Sequence, residues 1–126
     1  MRREPRRHEE LDVWRDAMDL VEAVYRMSAS FPSDERYGLT AQTRRAVISV
    51  PSNIAEGAAR RSRTELLQFL HVARASLAEV ETQMQIALRL GMVTSVDNAA
   101  ETADRVFAKL NALIRSLQPA KDAEGP

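Results

Sequence analysis

Cysteine is absent from this chain, and aromatic residues make up only 5% of it. Without thiols there is no disulfide scaffold, no zinc-thiolate site and no thiol catalysis, and the absence is compatible with a reducing cytosol. Charge of one sign is lacking as well. Eighteen basic and eighteen acidic residues cancel, so the global excess expected of a strongly basic nucleic-acid-binding domain is missing. No apolar run approaches the roughly 18 to 20 residues that span a bilayer. The start Met1-Arg2-Arg3-Glu4-Pro5-Arg6-Arg7 carries no signal-peptide apolar stretch, so a soluble, cytoplasmic protein without a membrane partner is expected. The four glycines are too dispersed to cradle a phosphate chain.

What is present is 44% apolar residues over 126 positions. Folding at that length buries about two-thirds of the unfolded chain's surface, enough for one self-sufficient domain. Apolar spacing predicts four helices. In the first, Leu11, Trp14, Met18, Val21, Tyr25 and Ser28 form a stripe that ends near Phe31-Pro32, where proline stops the helix. Thr40 is a plausible N-cap for the second, which runs to about Gly57 with a core stripe of Leu39, Ala46, Val47, Val50, Ile54 and Ala58. Ser62-x-x-Glu65 is a capping box that opens the third. There Leu66, Leu70, Ala73, Leu77, Val80, Met84 and Ala87 repeat by fours and threes until Gly91 supplies a left-handed stop. After Thr94-Ser95 the fourth helix carries Val96, Ala99, Ala103, Val106, Leu110, Leu113 and Leu117. Short connections force neighbours antiparallel, so the expected fold is an all-α, up-down-up-down four-helix bundle over residues 9–118. A flexible basic arm, residues 1–8, precedes it and a flexible tail, residues 119–126, follows.

Apolar residues that miss these seams are candidates for an oligomer interface: Ile48, Pro51 and Ala55 on helix two, and Val72, Ile86 and Leu90 on helix three. A broad core or scattered exposed side chains is the other reading. Pro51 is the oddest local choice, because inside a helix it cannot donate to the Val47 carbonyl and its ring crowds that group, at a cost of about 3 kcal/mol. Ser49, Ser52 and Asn53 surround it as groups able to satisfy that carbonyl at a kink.

Charge is distributed unevenly. Residues 9–30 carry a local balance of about −4 and residues 36–63 one of about +5. Arg44, Arg45, Arg60, Arg61 and Arg63 are therefore candidate nucleic-acid contacts, since guanidinium groups pair bidentately with phosphates. Two readings stand: an anion-binding surface, or salt bridges to the acidic first helix within or between subunits. Catalytic signatures are scarce. His8 and His71 are too few and too poorly placed for a metal cage, and Gln68 stands where a di-iron bundle needs glutamate before His71. Walker, dinucleotide-fingerprint, nucleophile-elbow and zincin motifs are all missing, so no enzyme, cofactor, metal or small-molecule substrate is expected.

The run Phe31-Pro32-x-x-Glu35-x-Tyr37-Gly38-Leu39-Thr40-x-Gln42-x-Arg44-Arg45-Ala46, followed by Ser49-Val50-Pro51-Ser52-Asn53-Ile54-Ala55-Glu56-Gly57, resembles the signature of the 23S rRNA intervening-sequence protein family. Leu11-x-Val13-Trp14-x-x-Ala17 before it and Arg61-Ser62 after it extend the likeness. These bacterial proteins are also described simply as four-helix bundles. The resemblance implies a homopentameric ring similar to the accessory protein of diversity-generating retroelements, whose ring engages RNA and a reverse transcriptase through basic surface. It makes Arg44, Arg45 and Arg61 candidates for nucleic-acid or inter-subunit contacts. The function expected is thus a non-enzymatic oligomeric bundle serving RNA or a ribonucleoprotein, against the alternative of a scaffold whose arginines bind its own subunits.

Overall fold

The computed structural model describes residues 6–118. It contains four α-helices, α1 (Asp12–Ser28), α2 (Leu39–Ala58), α3 (Arg63–Arg89) and α4 (Asp97–Leu117), with short 3-10 turns at Arg7–Glu10 and Ser33–Glu35. No strand occurs among the described residues. Helix α1 packs on α2 and α4, and α3 packs on the same two, with no close α1–α3 or α2–α4 backbone approach. The core therefore lies between four helices in cyclic contact. Leu20, Val24, Val47, Val50, Ile54, Leu70, Leu77, Val80, Val106 and Leu110 are fully shielded there. Each such side chain contributes roughly 1.5 to 3 kcal/mol of apolar burial.

Helix ends follow local chemistry. Ser62 Oγ accepts from the Glu65 N–H at 3.1 Å and opens α3 as the sequence predicts. At its far end Gly91 has φ +70°, its N–H donates to the Leu88 carbonyl at 3.1 Å, and the Met92 N–H reaches the Ala87 carbonyl at 2.9 Å. That pair of bonds is the Schellman closure, which only glycine enters without strain. Helix α2 starts two residues earlier than a Thr40 N-cap requires, with Gly38 at the N-cap position, and the Glu35 carboxylate caps it by accepting from the Leu39 N–H at 2.9 Å. It then continues unbroken through Pro51. Ser52 Oγ and Asn53 Nδ2 donate to the Ile48 and Ser49 carbonyls at 2.8 Å, so neither donates to the Val47 carbonyl that proline frees.

The α1 seam is the main departure. Val13, Ala17, Leu20 and Val24 face the core, while Met18 is 42% and Tyr25 37% exposed. Two stripes with the same three-four spacing run along α1; the one with the smaller side chains is buried, while Leu11, Trp14 and Val21 of the expected stripe pack partly buried at the edge of the core and Ser28 is buried. At the end of α4, Ile114 takes the core position, with Leu113 and Leu117 at its edge. The last two residues of the expected arm, Arg7 and His8, open a turn, Arg7–Glu10, that packs on α1 and α2. Residues 1–5 of the arm and residues 119–126 of the tail lie outside the described residues.

The closest joint is between the end of α2 and the start of α3. A Cβ added at Gly57 would stand 2.9 Å from Phe69 Cβ and 3.0 Å from Leu66 Cδ1. Phe69 Cβ is anchored to its backbone and cannot swing away. Gly57→Ala should therefore cost about 1 to 3 kcal/mol from overpacking, outweighing the ~1 kcal/mol that alanine offers a helix interior. Urea unfolding of the two proteins measures the balance, and the variant is expected at the lower midpoint.

Helix α3 also carries Glu81, whose carboxyl is pushed above its ordinary value of 4.5, first by burial and then by the nearby Asp104 carboxylate of α4. A raised folded pKa means that ionisation of Glu81 opposes folding. Stability from this group grows as pH falls through the folded pKa toward the ordinary value. Glu81→Gln should accordingly melt higher than the native chain at pH 7 to 8, with the gap closing as the pH approaches 4.5; thermal melts across that range check it.

Candidate nucleic-acid interface

Helix α2, the connection after it and the first residue of α3 position the five candidate arginines, but not in one place. About 21 Å of helix, at 1.5 Å per residue, separates Arg44 from the end of α2 at Ala58, and Arg60 follows two residues later. Arg44 is half-buried and turned inward. Its Nε donates to Ser28 Oγ at 2.9 Å and its Nη2 to the Tyr25 carbonyl at 3.3 Å, while the guanidinium lies 4.4 Å from the Tyr25 ring centre. Ser28 Oγ in turn donates to the Tyr25 carbonyl at 3.3 Å. Arg44 thus caps the last turn of α1 with positive charge at the negative end of that helix and ties α1 to α2.

Arg45 lies one residue on, which turns it about 100° around the helix into solvent, where it has no ion-pair or hydrogen-bond partner among the described residues. Arg60 makes a long 3.7 Å pair with Glu56 and stands over the Phe69 ring at 4.8 Å. Both members of that pair are largely solvated, so it holds little energy. Arg61 and Arg63 are exposed and unpaired among the described residues.

The acidic first helix answers elsewhere. Asp12 pairs with Arg15 on its own helix, and Asp16 Oδ2 lies 2.7 Å from Lys109 Nζ of α4. No ion pair joins an α1 carboxylate to an α2 guanidinium among the described residues.

The off-seam apolar residues divide between two faces. Ile48, Pro51 and Ala55 line a 360 Å³ groove between α1 and α2, opposite Trp14, Met18 and Val21, with His8 at one end. Pro51 is buried at the groove floor, and Ile48 stands 43% exposed on its rim. Val72, Ile86 and Leu90 lie along the outer side of α3 and are 48%, 39% and 65% exposed. Between them Gln83 is buried with its Oε1 lacking a hydrogen-bond partner. Ser49 and Ser76 share a 2.8 Å hydrogen bond where this side of α3 meets α2. Sequence reading missed the α1 half of the groove because it assigned Trp14, Met18 and Val21 to the core. The competing stripe of Val13, Ala17, Leu20 and Val24 was the available signal.

Among the described residues no group of three or more histidine or acidic side chains could hold a metal ion. His8 sits edge-on to Trp14 with ring centres 5.0 Å apart, and His71 Nδ1 lies 3.0 Å from Arg74 Nη2. Nor is any helix among the described residues long and apolar enough to cross a membrane.

Among the described residues these features define a small all-helical module with an apolar groove on one side and with the Arg45, Arg61 and Arg63 guanidinium groups free of carboxylate partners. A family model, the 23S rRNA-intervening sequence protein, matches residues 9–114, and the chain belongs to that family. No curated protein matches it.

The contrast between neighbouring arginines is measurable. Arg44→Ala should cost about 1 to 3 kcal/mol, since it strips partners from Ser28 and from the end of α1. Arg45→Ala should stay within about 0.5 kcal/mol of the native chain. Chemical denaturation of the two single variants gives both values.

Proposed function

We propose that this protein is a non-enzymatic, self-associating four-helix module that docks RNA or a ribonucleoprotein through the exposed guanidinium groups of α2 and the connection after it. The observation that carries the reading is that Arg45, Arg61 and Arg63 are exposed without an acidic partner among the described residues, although α1 holds a surplus of carboxylates. Family membership supports it through the RNA context in the family's description. Arg44 is excluded from the docking surface here, since its donors serve α1.

The helices follow an up-down-up-down path in this reading, in keeping with their short connections and cyclic packing. The α1–α2 groove and the α3 strip are two different apolar faces, which suits a head-to-tail ring better than a twofold dimer. The family resemblance makes that ring a pentamer, and repetition around it multiplies a weak site. A scaffold without RNA affinity is the second reading, favoured by the internal use of Arg44 and the Arg60–Glu56 pair.

Two measurements test this. Light scattering of Ile48→Glu and Leu90→Glu variants should show smaller particles than the native chain, because each places a charge in an apolar contact. Anisotropy with a structured RNA should show saturable binding that weakens steeply as salt rises from about 50 to 200 mM. A native oligomer with no RNA affinity at the lower salt leaves only the scaffold.

A further inference from the structure

The N-terminal turn brings two arginines to a place that sequence order conceals. Arg15 Nη1 donates to the Glu9 carbonyl at 2.8 Å, the Arg6 N–H donates to Glu9 Oε1 at 3.2 Å, and His8 rests against Trp14. These contacts fix the turn on α1, and it also packs against α2, where Arg6 and Arg7 border a 470 Å³ recess lined as well by Ala55, Glu56, Ala58 and Ala59. The last carbonyls of α2 make this a negative helix end, which favours cations beside it. Arg60, Arg61 and Arg63 follow directly in the chain. Five guanidinium-bearing residues from two distant segments are thus collected at one end of the bundle.

Four carboxylates at this end have partners among the described residues. Glu9 accepts from the Arg6 N–H, Glu56 faces Arg60, Glu65 accepts from Ser62 Oγ at 3.1 Å, and Asp12 pairs with Arg15. Arg7, Arg61 and Arg63 are left exposed and unpaired among the described residues.

Aromatic platforms are missing from the same surface. Phe69 lies beneath the Arg60 guanidinium, Trp14 is half-buried, and the exposed Tyr25 and Tyr37 belong to the other end of the bundle, at the close of α1 and in the connection to α2. Single-stranded RNA is gripped by stacking its bases on exposed rings, whereas an A-form duplex offers chiefly phosphates, hydroxyl groups and shape. Guanidinium groups without rings match the second.

The geometry points to a sequence-independent dock for the backbone of double-stranded RNA, built jointly by the N-terminal turn and the α2–α3 connection at this end of the bundle. It rests on the RNA reading above and narrows it to a conformation of RNA and to one end of each subunit. The test is anisotropy of the full chain with a labelled RNA duplex of about 20 base pairs and with a single-stranded uridine oligomer of equal length. The native chain should prefer the duplex. An Arg7→Glu, Arg61→Glu, Arg63→Glu triple variant, shown to be folded by its circular dichroism and melting point, should lose duplex affinity by about tenfold or more and lower the log-log salt slope by about 3. Arg36→Glu should change affinity less than about twofold, because exposed Arg36 precedes α2 and so lies at its opposite end, about 30 Å away along that 20-residue helix. Equal or better binding of the single strand overturns the duplex assignment. Duplex binding that survives the triple variant but fails in Arg36→Glu overturns the location and leaves the broader RNA reading standing. Absence of any binding by the native chain overturns both.

Discussion

The contact of Gly57 with Phe69 and Leu66 sets the geometry on which the rest of this molecule depends. With no side chain at Gly57, the end of α2 lies against the first turns of α3, and the reversal between them is completed in four residues. A reversal that short cannot be buried, and all four of its side chains and the first of α3 are held at the bundle surface. Arg60, Arg61 and Arg63 are among them. Phe69, the residue against which Gly57 closes, is also the ring over which Arg60 lies. Packing of the core and presentation of positive charge are therefore consequences of one close approach.

Electrostatics partitions the molecule along the same axis. Helix α1 is acidic, yet its paired carboxylates face Arg15 and Lys109, on the side away from α2. What joins α1 to α2 is instead the Arg44 guanidinium, bound to a serine hydroxyl, a carbonyl and an aromatic face. None of these partners is ionised, so Arg44 retains its charge at the carbonyl end of α1, where it offsets the helix dipole. Neutral net charge at the level of composition consequently says little about local potential: surface charges more than a Debye length of about 8 to 10 Å apart scarcely sense one another.

Much of this was legible in the sequence, and the reasons for the exceptions are physical. Helix α3 was readable because Leu70, Ala73, Leu77, Val80, Met84 and Ala87 give one stripe with no competitor, closed by a serine cap and a left-handed glycine. Helix α1 was misread because Trp14, Met18 and Val21 share the three-four spacing of Val13, Ala17, Leu20 and Val24. Periodicity finds a stripe but does not say which of two stripes faces inward; the separation between helices decides, and that depends on residues far away in the chain. The candidate arginines were legible as a group but not as individuals. Arg44 and Arg45 are adjacent in sequence and look alike, yet a 100° step around α2 sends one toward Ser28 and the other into solvent. Arg6 and Arg7 could not be placed at all, because nothing local says that a turn before α1 will rest against the last turn of α2.

The two apolar faces bear on how charge and assembly are related. The groove between α1 and α2 runs from Ile48 toward His8, and the recess beside Arg6 and Arg7 shares His8 and Ala55 with it. Any apolar surface that covered the groove would therefore end next to the arginine-bearing end of the bundle without covering the α2–α3 reversal, which lies beyond Ala59. Association through the groove and exposure of Arg61 and Arg63 are geometrically compatible in one subunit, so a ring need not choose between holding itself together and presenting cations. Arg7 stands at the boundary between the two. In the proposed ring a subunit seated in the groove would change the surroundings of the Arg7 guanidinium, and assembly and phosphate affinity would then be linked quantities, each shifting the other by the same free energy.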